Sequence, residues 1–86
     1  MTQQINNSKY FQTKDFTDLP LVSCLIYAGY KLNNIDRTNP KRALFSVICD
    51  EGIEQVIEDF YSNNFQVDAL TYWNTTKALK TRLYSA

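Results

Sequence analysis

Three groups of residues in this 86-residue chain have types and spacings that suit chemistry. Cys24 and Cys49 are thiols, each a nucleophile or metal ligand in the right setting. They lie 25 residues apart inside apolar runs with no CxxC spacing, and the chain has no histidine to complete a zinc shell or activate a thiol. We read both as buried, reduced core residues. Glu51, Glu54 and Glu58 stand one helical turn apart and could share a divalent cation. Such a cation needs oxygens converging from several directions, which one exposed helix face does not supply, so we expect no metal. Trp73, Lys77, Lys80 and Tyr84 follow at i, i+4, i+7 and i+11, a spacing that lets two lysines hold a phosphate backbone while a base stacks on the indole. The same spacing also lets Lys77 lie over the Trp73 ring as a cation–π pair, with Trp73 in the edge of the core.

The missing histidine removes the usual general base near neutral pH. The two glycines, Gly29 and Gly52, form no phosphate-cradling loop. We therefore expect no enzyme, no cofactor and no small-molecule substrate.

Nine basic residues balance nine acidic ones, but they are segregated along the chain. Residues 31–45 carry a net +3, residues 46–68 a net −6 with no basic residue, and residues 69–86 a net +3. Segregation of this kind steers a partner or pairs one element with its neighbours inside the molecule. Arg37, Lys41 and Arg42, with Trp73, Lys77 and Lys80, form a candidate nucleic-acid surface, although a pI near 6.1 lacks the basic balance typical of nucleic-acid binders.

These groups need elements to position them. At this length roughly 64% of the unfolded surface is buried on folding, enough for one modest core and no second catalytic domain. Residues 1–8 read as a flexible polar tail and 9–86 as one globular α+β domain. A short strand is expected over 9–13. Asp18 opens a helix with Leu19 and Pro20 in its first turn, where proline's missing N–H costs nothing, and Gly29 closes it. A strand over 30–37 changes parity at Asn33-Asn34, which predicts a bulge. A turn at 38–41 leads to a strand over 42–49 that is apolar on both faces, a pattern normally covered on both sides. Asp50 caps a second helix whose apolar stripe is Ile53, Val56, Ile57, Phe60 and Tyr61. Asp68 caps a third, to about Leu83, with Ala69, Tyr72, Thr76, Leu79 and Leu83 on one face. The order is β-α-β-β-α-α, a hairpin sheet packed with three helices.

The first helix has almost no polar side, and at this chain length that predicts a second chain against it. We expect a homodimer with Leu21, Leu25, Ile26, Leu44 and Ile48 at the interface. The apolar runs fall well short of the roughly 20 residues that span a bilayer, and the polar start has no signal-like core. The expected location is the cytoplasm.

Asp18-Leu19 opening a helix, Leu25 within it, Gly29 closing it, a strand to Arg37, an apolar strand ending at Asp50, Asp59-Phe60, Val67-Asp68-Ala69, and Leu79-Lys80 within residues 77–84 together resemble a family of small uncharacterised domains of bacteria, archaea and their phages. The likeness covers residues 10–85. It implies a small accessory protein of phage or mobile-element origin and no assigned reaction. The function expected is a self-associating protein-interaction module, with a nucleic-acid-binding accessory protein as the alternative.

Overall fold

The computed structural model describes residues 12–39 and 41–85. Six elements follow in the expected order: β1 (Gln12–Phe16), α1 (Leu19–Tyr27), β2 (Lys31–Asp36), β3 (Leu44–Cys49), α2 (Ile53–Tyr61) and α3 (Ala69–Tyr84). The first strand reaches Phe16, three residues beyond its expected end, because it stays paired with β3 from Gln12 opposite Cys49 to Phe16 opposite Phe45. Residues 9–11 and the expected tail at 1–8 lie outside the described residues.

Strand β3 is central in the order β1-β3-β2, and both neighbours run antiparallel to it. β1 and β2 are therefore parallel to each other, joined by α1 across the sheet, which makes a βαβ unit split by a third strand. Alternation on β3 decides the core: Phe45, Val47 and Cys49 are buried, while Leu44, Ser46 and Ile48 point the other way and are half-buried. Leu32 pairs with Val47 and Ile35 with Phe45, three residues apart on β2 but two on β3. The extra residue at Asn33 is the expected bulge; without it Ile35 would point away from the core.

All three helices lie on the core face, where Leu21, Val22 and Leu25 of α1, Ile53 of α2 and Leu79 of α3 join one cluster with Phe45, Val47 and Cys49. α1 is flanked by α2 and α3 and touches β1 and β2 beneath, so every residue from 21 to 25 is buried. The chain thus covers its own apolar helix, and α1 needs no second chain to do so. Among the described residues, the side left without a helix is instead the outer face of the sheet. There Leu44, Ser46 and Ile48 are flanked by Thr13, Asp15, Lys31, Asn34 and Asp36, and no described helix lies over them.

Helix ends follow local chemistry. Asp18 is the N-cap of α1 with proline in the first turn, although its carboxylate makes no capping bond. Gly29 takes φ +110°, and the N–H groups of Gly29 and Tyr30 donate to Ile26 O and Leu25 O, each at 3.0 Å, closing α1 in a Schellman motif. Asn63, with φ +67°, ends α2 in the same way: Asn63 N donates to Phe60 O (3.2 Å) and Asn64 N to Asp59 O (2.8 Å). Asp50 lies one turn ahead of α2 and not at its cap, which is Gly52; its carboxylate accepts from Gly52 N (2.9 Å) and from the Tyr30 hydroxyl (2.7 Å). Tyr61, expected in the apolar stripe of α2, points out instead and is 64% exposed.

Candidate interaction surface on helix α3

α3 is anchored at both ends, which fixes the direction of its outer side. At the start, the Asp68 carboxylate accepts from the Thr71 hydroxyl (2.7 Å) and backbone N–H (3.0 Å), and these bonds hold its pKa below the usual carboxylate range. The Asp68 N–H donates to the Tyr27 hydroxyl at 2.8 Å, and the Tyr27 ring meets Phe65 and Tyr72 edge-on at 6.0 and 6.3 Å. The Tyr72 hydroxyl donates to Pro20 O at 3.0 Å. At the far end the Arg37 guanidinium donates to Leu83 O (2.7 Å), Arg82 O (2.5 Å) and Ser85 O (3.1 Å).

With Thr76 and Leu79 turned to the core, the 100° step of a helix puts Leu70, Trp73, Lys77, Lys80 and Tyr84 along one outer stripe. Leu70 is 68% exposed, Trp73 52% and Tyr84 79%. Lys77 Nζ lies 5.9 Å from the centre of the Trp73 ring, the cation–π geometry that the spacing allowed, but the indole is on the surface and not in the edge of the core. α3 contains no acidic residue. Leu70 was not singled out from the sequence; its signal is its place three residues before Trp73 on the same stripe.

The other candidate residues fall in different places. Arg37 is occupied as the clamp on α3, which draws the loop after β2 against the helix end. In that loop Asp36 Oδ1 accepts from Thr38 N, and Asn39 Oδ1 from Lys41 N, each at 2.9 Å, leaving Lys41 and Arg42 exposed beside the clamp. A small open groove of about 230 Å³, lined by Arg37, Asn39, Ala43, Leu83 and Tyr84, joins the loop to the stripe. The clamp and this groove set the basic loop against the last turn of α3. Of the expected dimer residues, Leu21 and Leu25 are in the core and out of reach of a partner. Ile26 is half-buried in the wall of a larger open groove of about 480 Å³ between α1, β2 and α3, with Leu32, Ala78 and Leu79 among its lining. Leu44 and Ile48 are on the open sheet face.

Neither thiol is presented for chemistry. Burial pushes the Cys24 thiol pKa up, and the Cys49 thiol donates to Gln12 O at 3.5 Å. Among the described residues no three Cys, Asp or Glu side chains come together to hold a metal ion. Glu54 instead pairs with Lys14, whose side chain reaches it from the core-side face of β1.

Residues 6–85 match the family model described as a domain of unknown function, DUF5659. The chain belongs to this family. The DUF5659 match takes in all six elements, from β1 through α3. No curated protein matches the chain, and no solved structure does.

Proposed function

We propose that the protein is a non-enzymatic accessory module of the cytoplasm, of phage or mobile-element origin, that self-associates and docks a second protein. The observation that carries this reading is the outer stripe of α3, where Leu70, Trp73 and Tyr84 stand exposed in line with Lys77 and Lys80. Aligned large apolar side chains on a rigid element mark interaction surfaces. The absence of histidine from the sequence and the burial of both thiols favour binding over catalysis. Sedimentation equilibrium of the whole chain at high micromolar concentration tests self-association. A mass near twice 10.0 kDa is expected, and 10.0 kDa at every concentration overturns that half of the reading. A photo-crosslinker in place of Trp73 in the native cell tests the second half, with nuclease-resistant protein adducts as the expected result.

A second reading, nucleic-acid binding, is supported by exposed cations on two elements, Lys41 and Arg42 in the loop after β2 and Lys77 and Lys80 on α3, whose last turn the Arg37 clamp ties to that loop. Binding of this kind weakens steeply with salt. Fluorescence anisotropy with single- and double-stranded oligonucleotides at low salt tests it, and no binding at tens of micromolar protein excludes it.

A further inference from the structure

We infer that the acidic stripe of α2 in one copy of the chain docks antiparallel on the outer stripe of α3 in a second copy, with Tyr61 against Trp73, Glu58 against Lys77 and Glu54 against Lys80. The inference rests on the self-association proposed above and names its surface.

The two stripes have matching lengths. Glu54, Glu58 and Tyr61 follow at i, i+4 and i+7 on α2, and Trp73, Lys77 and Lys80 at i, i+4 and i+7 on α3. Each set spans seven helical steps, about 10.5 Å along the axis. Read from its N-terminus, α3 presents aromatic, base, base; read from its C-terminus, α2 presents aromatic, acid, acid. The antiparallel arrangement sets both acids on bases, whereas the parallel one keeps Glu58 on Lys77 but sets Glu54 on Trp73 and Tyr61 on Lys80. The two rings are about half to two-thirds exposed and stand at the same end of the match.

The charges cannot meet within one chain, since α1 lies between α2 and α3. Among the described residues the one ion pair within 4 Å is Lys14 with Glu54, so Lys77, Lys80 and Glu58 have no ionic partner. Because α2 and α3 flank α1 on the same face of the sheet, the contact is made twice when two chains meet about a two-fold axis. A reciprocal contact of this kind closes on itself as a dimer. Opposed like charges cost several kcal/mol, so the same pattern disfavours other registers.

The test is a charge exchange followed by sedimentation equilibrium at low salt, with circular dichroism to confirm the helices. The Lys77→Glu/Lys80→Glu chain and the Glu54→Lys/Glu58→Lys chain should each self-associate at least about a hundredfold more weakly than wild type. An equal mixture of the two should recover a heterodimer of wild-type strength, since both reciprocal contacts then join opposite charges. If Glu54→Lys/Glu58→Lys loses helical content through its lost Lys14 pair, Glu58→Lys mixed with Lys77→Glu carries the same comparison. A wild-type dimer with exchanged chains that dimerise equally well alone overturns the inference and leaves the self-association reading standing. A monomeric wild type at all concentrations overturns both.

Discussion

Arg37 Nε donates to the carbonyl of Leu83 at 2.7 Å, across 46 residues of sequence, while its Nη2 reaches the carbonyls of Arg82 and Ser85. The last carbonyls of a helix have no partner within it and carry the negative end of its dipole. A forked guanidinium meets several at once, as a lysine ammonium cannot. This one side chain closes α3 and ties the β2–β3 loop to it. Arg37→Ala should destabilise the protein by about 1 to 2 kcal/mol, less than a fully buried ionic bond because the site is exposed. Arg37→Lys should recover less than half of that loss. Hydrogen exchange should show the last turn of α3 opening in both variants while β3 stays protected, and an unchanged last turn would remove the clamp from the fold's stability.

The core and the outer side of the helices separate in a pair of truncations. Leu25 is fully buried between the sheet and the flanking helices, so Leu25→Ala should cost about 2 to 5 kcal/mol. Tyr61→Ala should cost under about 1 kcal/mol, because that ring stands mostly in solvent. Urea unfolding of the two variants measures both, and comparable losses would place Tyr61 in the core after all.

Ser23 carries the one buried side-chain oxygen that lacks a hydrogen-bond partner among the described residues. The Tyr72 hydroxyl lies near it and Ser23 lowers that hydroxyl's raised pKa somewhat, but Tyr72 donates to Pro20 O and no bond of ordinary geometry joins the pair. An unsatisfied buried hydroxyl costs about 1 to 3 kcal/mol, and alanine is the better helix former. Ser23→Ala should therefore leave stability unchanged or raise it by about 1 kcal/mol. A thermal melt below that of wild type would show that the hydroxyl does make a partner in solution.

The parts of this fold that sequence reading reached are those set by local rules. Gly29 needs a left-handed backbone, the parity change at Asn33-Asn34 needs an extra residue, and the spacing from Ile53 to Phe60 has one solution as a helix. The environment of α1 was out of reach, because a helix apolar on all sides looks the same whether its own neighbours or a second chain cover it. Only the order α2, α1, α3 across the sheet distinguishes the two. On the candidate surface, the Trp73 to Lys77 pairing follows from spacing alone, whereas the role of Arg37 depends on a partner 46 residues away. Tyr61 was misplaced for a geometric reason: it is the last residue of α2, and the buried stripe ends one position before it.

Alkaline pH should weaken the fold through Tyr30. Its pKa is pushed up to about 12, first by burial and then by the hydrogen bond its hydroxyl donates to Asp50. An unfolded tyrosine loses its proton near about pH 10. Between those values the folded chain holds a proton that the unfolded chain has released, so stability falls as pH rises through the window and is fully present below it. Tyr72, raised chiefly by burial, acts in the same direction. Urea midpoints measured from about pH 9 to 11 should decline, and Tyr30→Phe should flatten part of that slope. Equal slopes in wild type and Tyr30→Phe would remove Tyr30 as the source.

The two faces of β3 should respond oppositely to charge. Val47 and Ile48 are adjacent, yet Val47 is fully buried under the helices and Ile48 is half-buried on the open face, opposite Thr13 and Lys31. A lysine at 48 can extend its stem over the sheet and keep its ammonium in water. One at 47 must desolvate a charge that has no partner in an apolar cluster, which costs more than a domain this size has to spare. Ile48→Lys should therefore fold with a loss of about 1 to 2 kcal/mol, and Val47→Lys should not fold. The same experiment separates the open sheet face from the helices as the contact between copies. If Ile48→Lys folds and still sediments as wild type does, the open face is not the interface. If it folds and becomes monomeric, self-association runs through the sheet and not through α2 and α3.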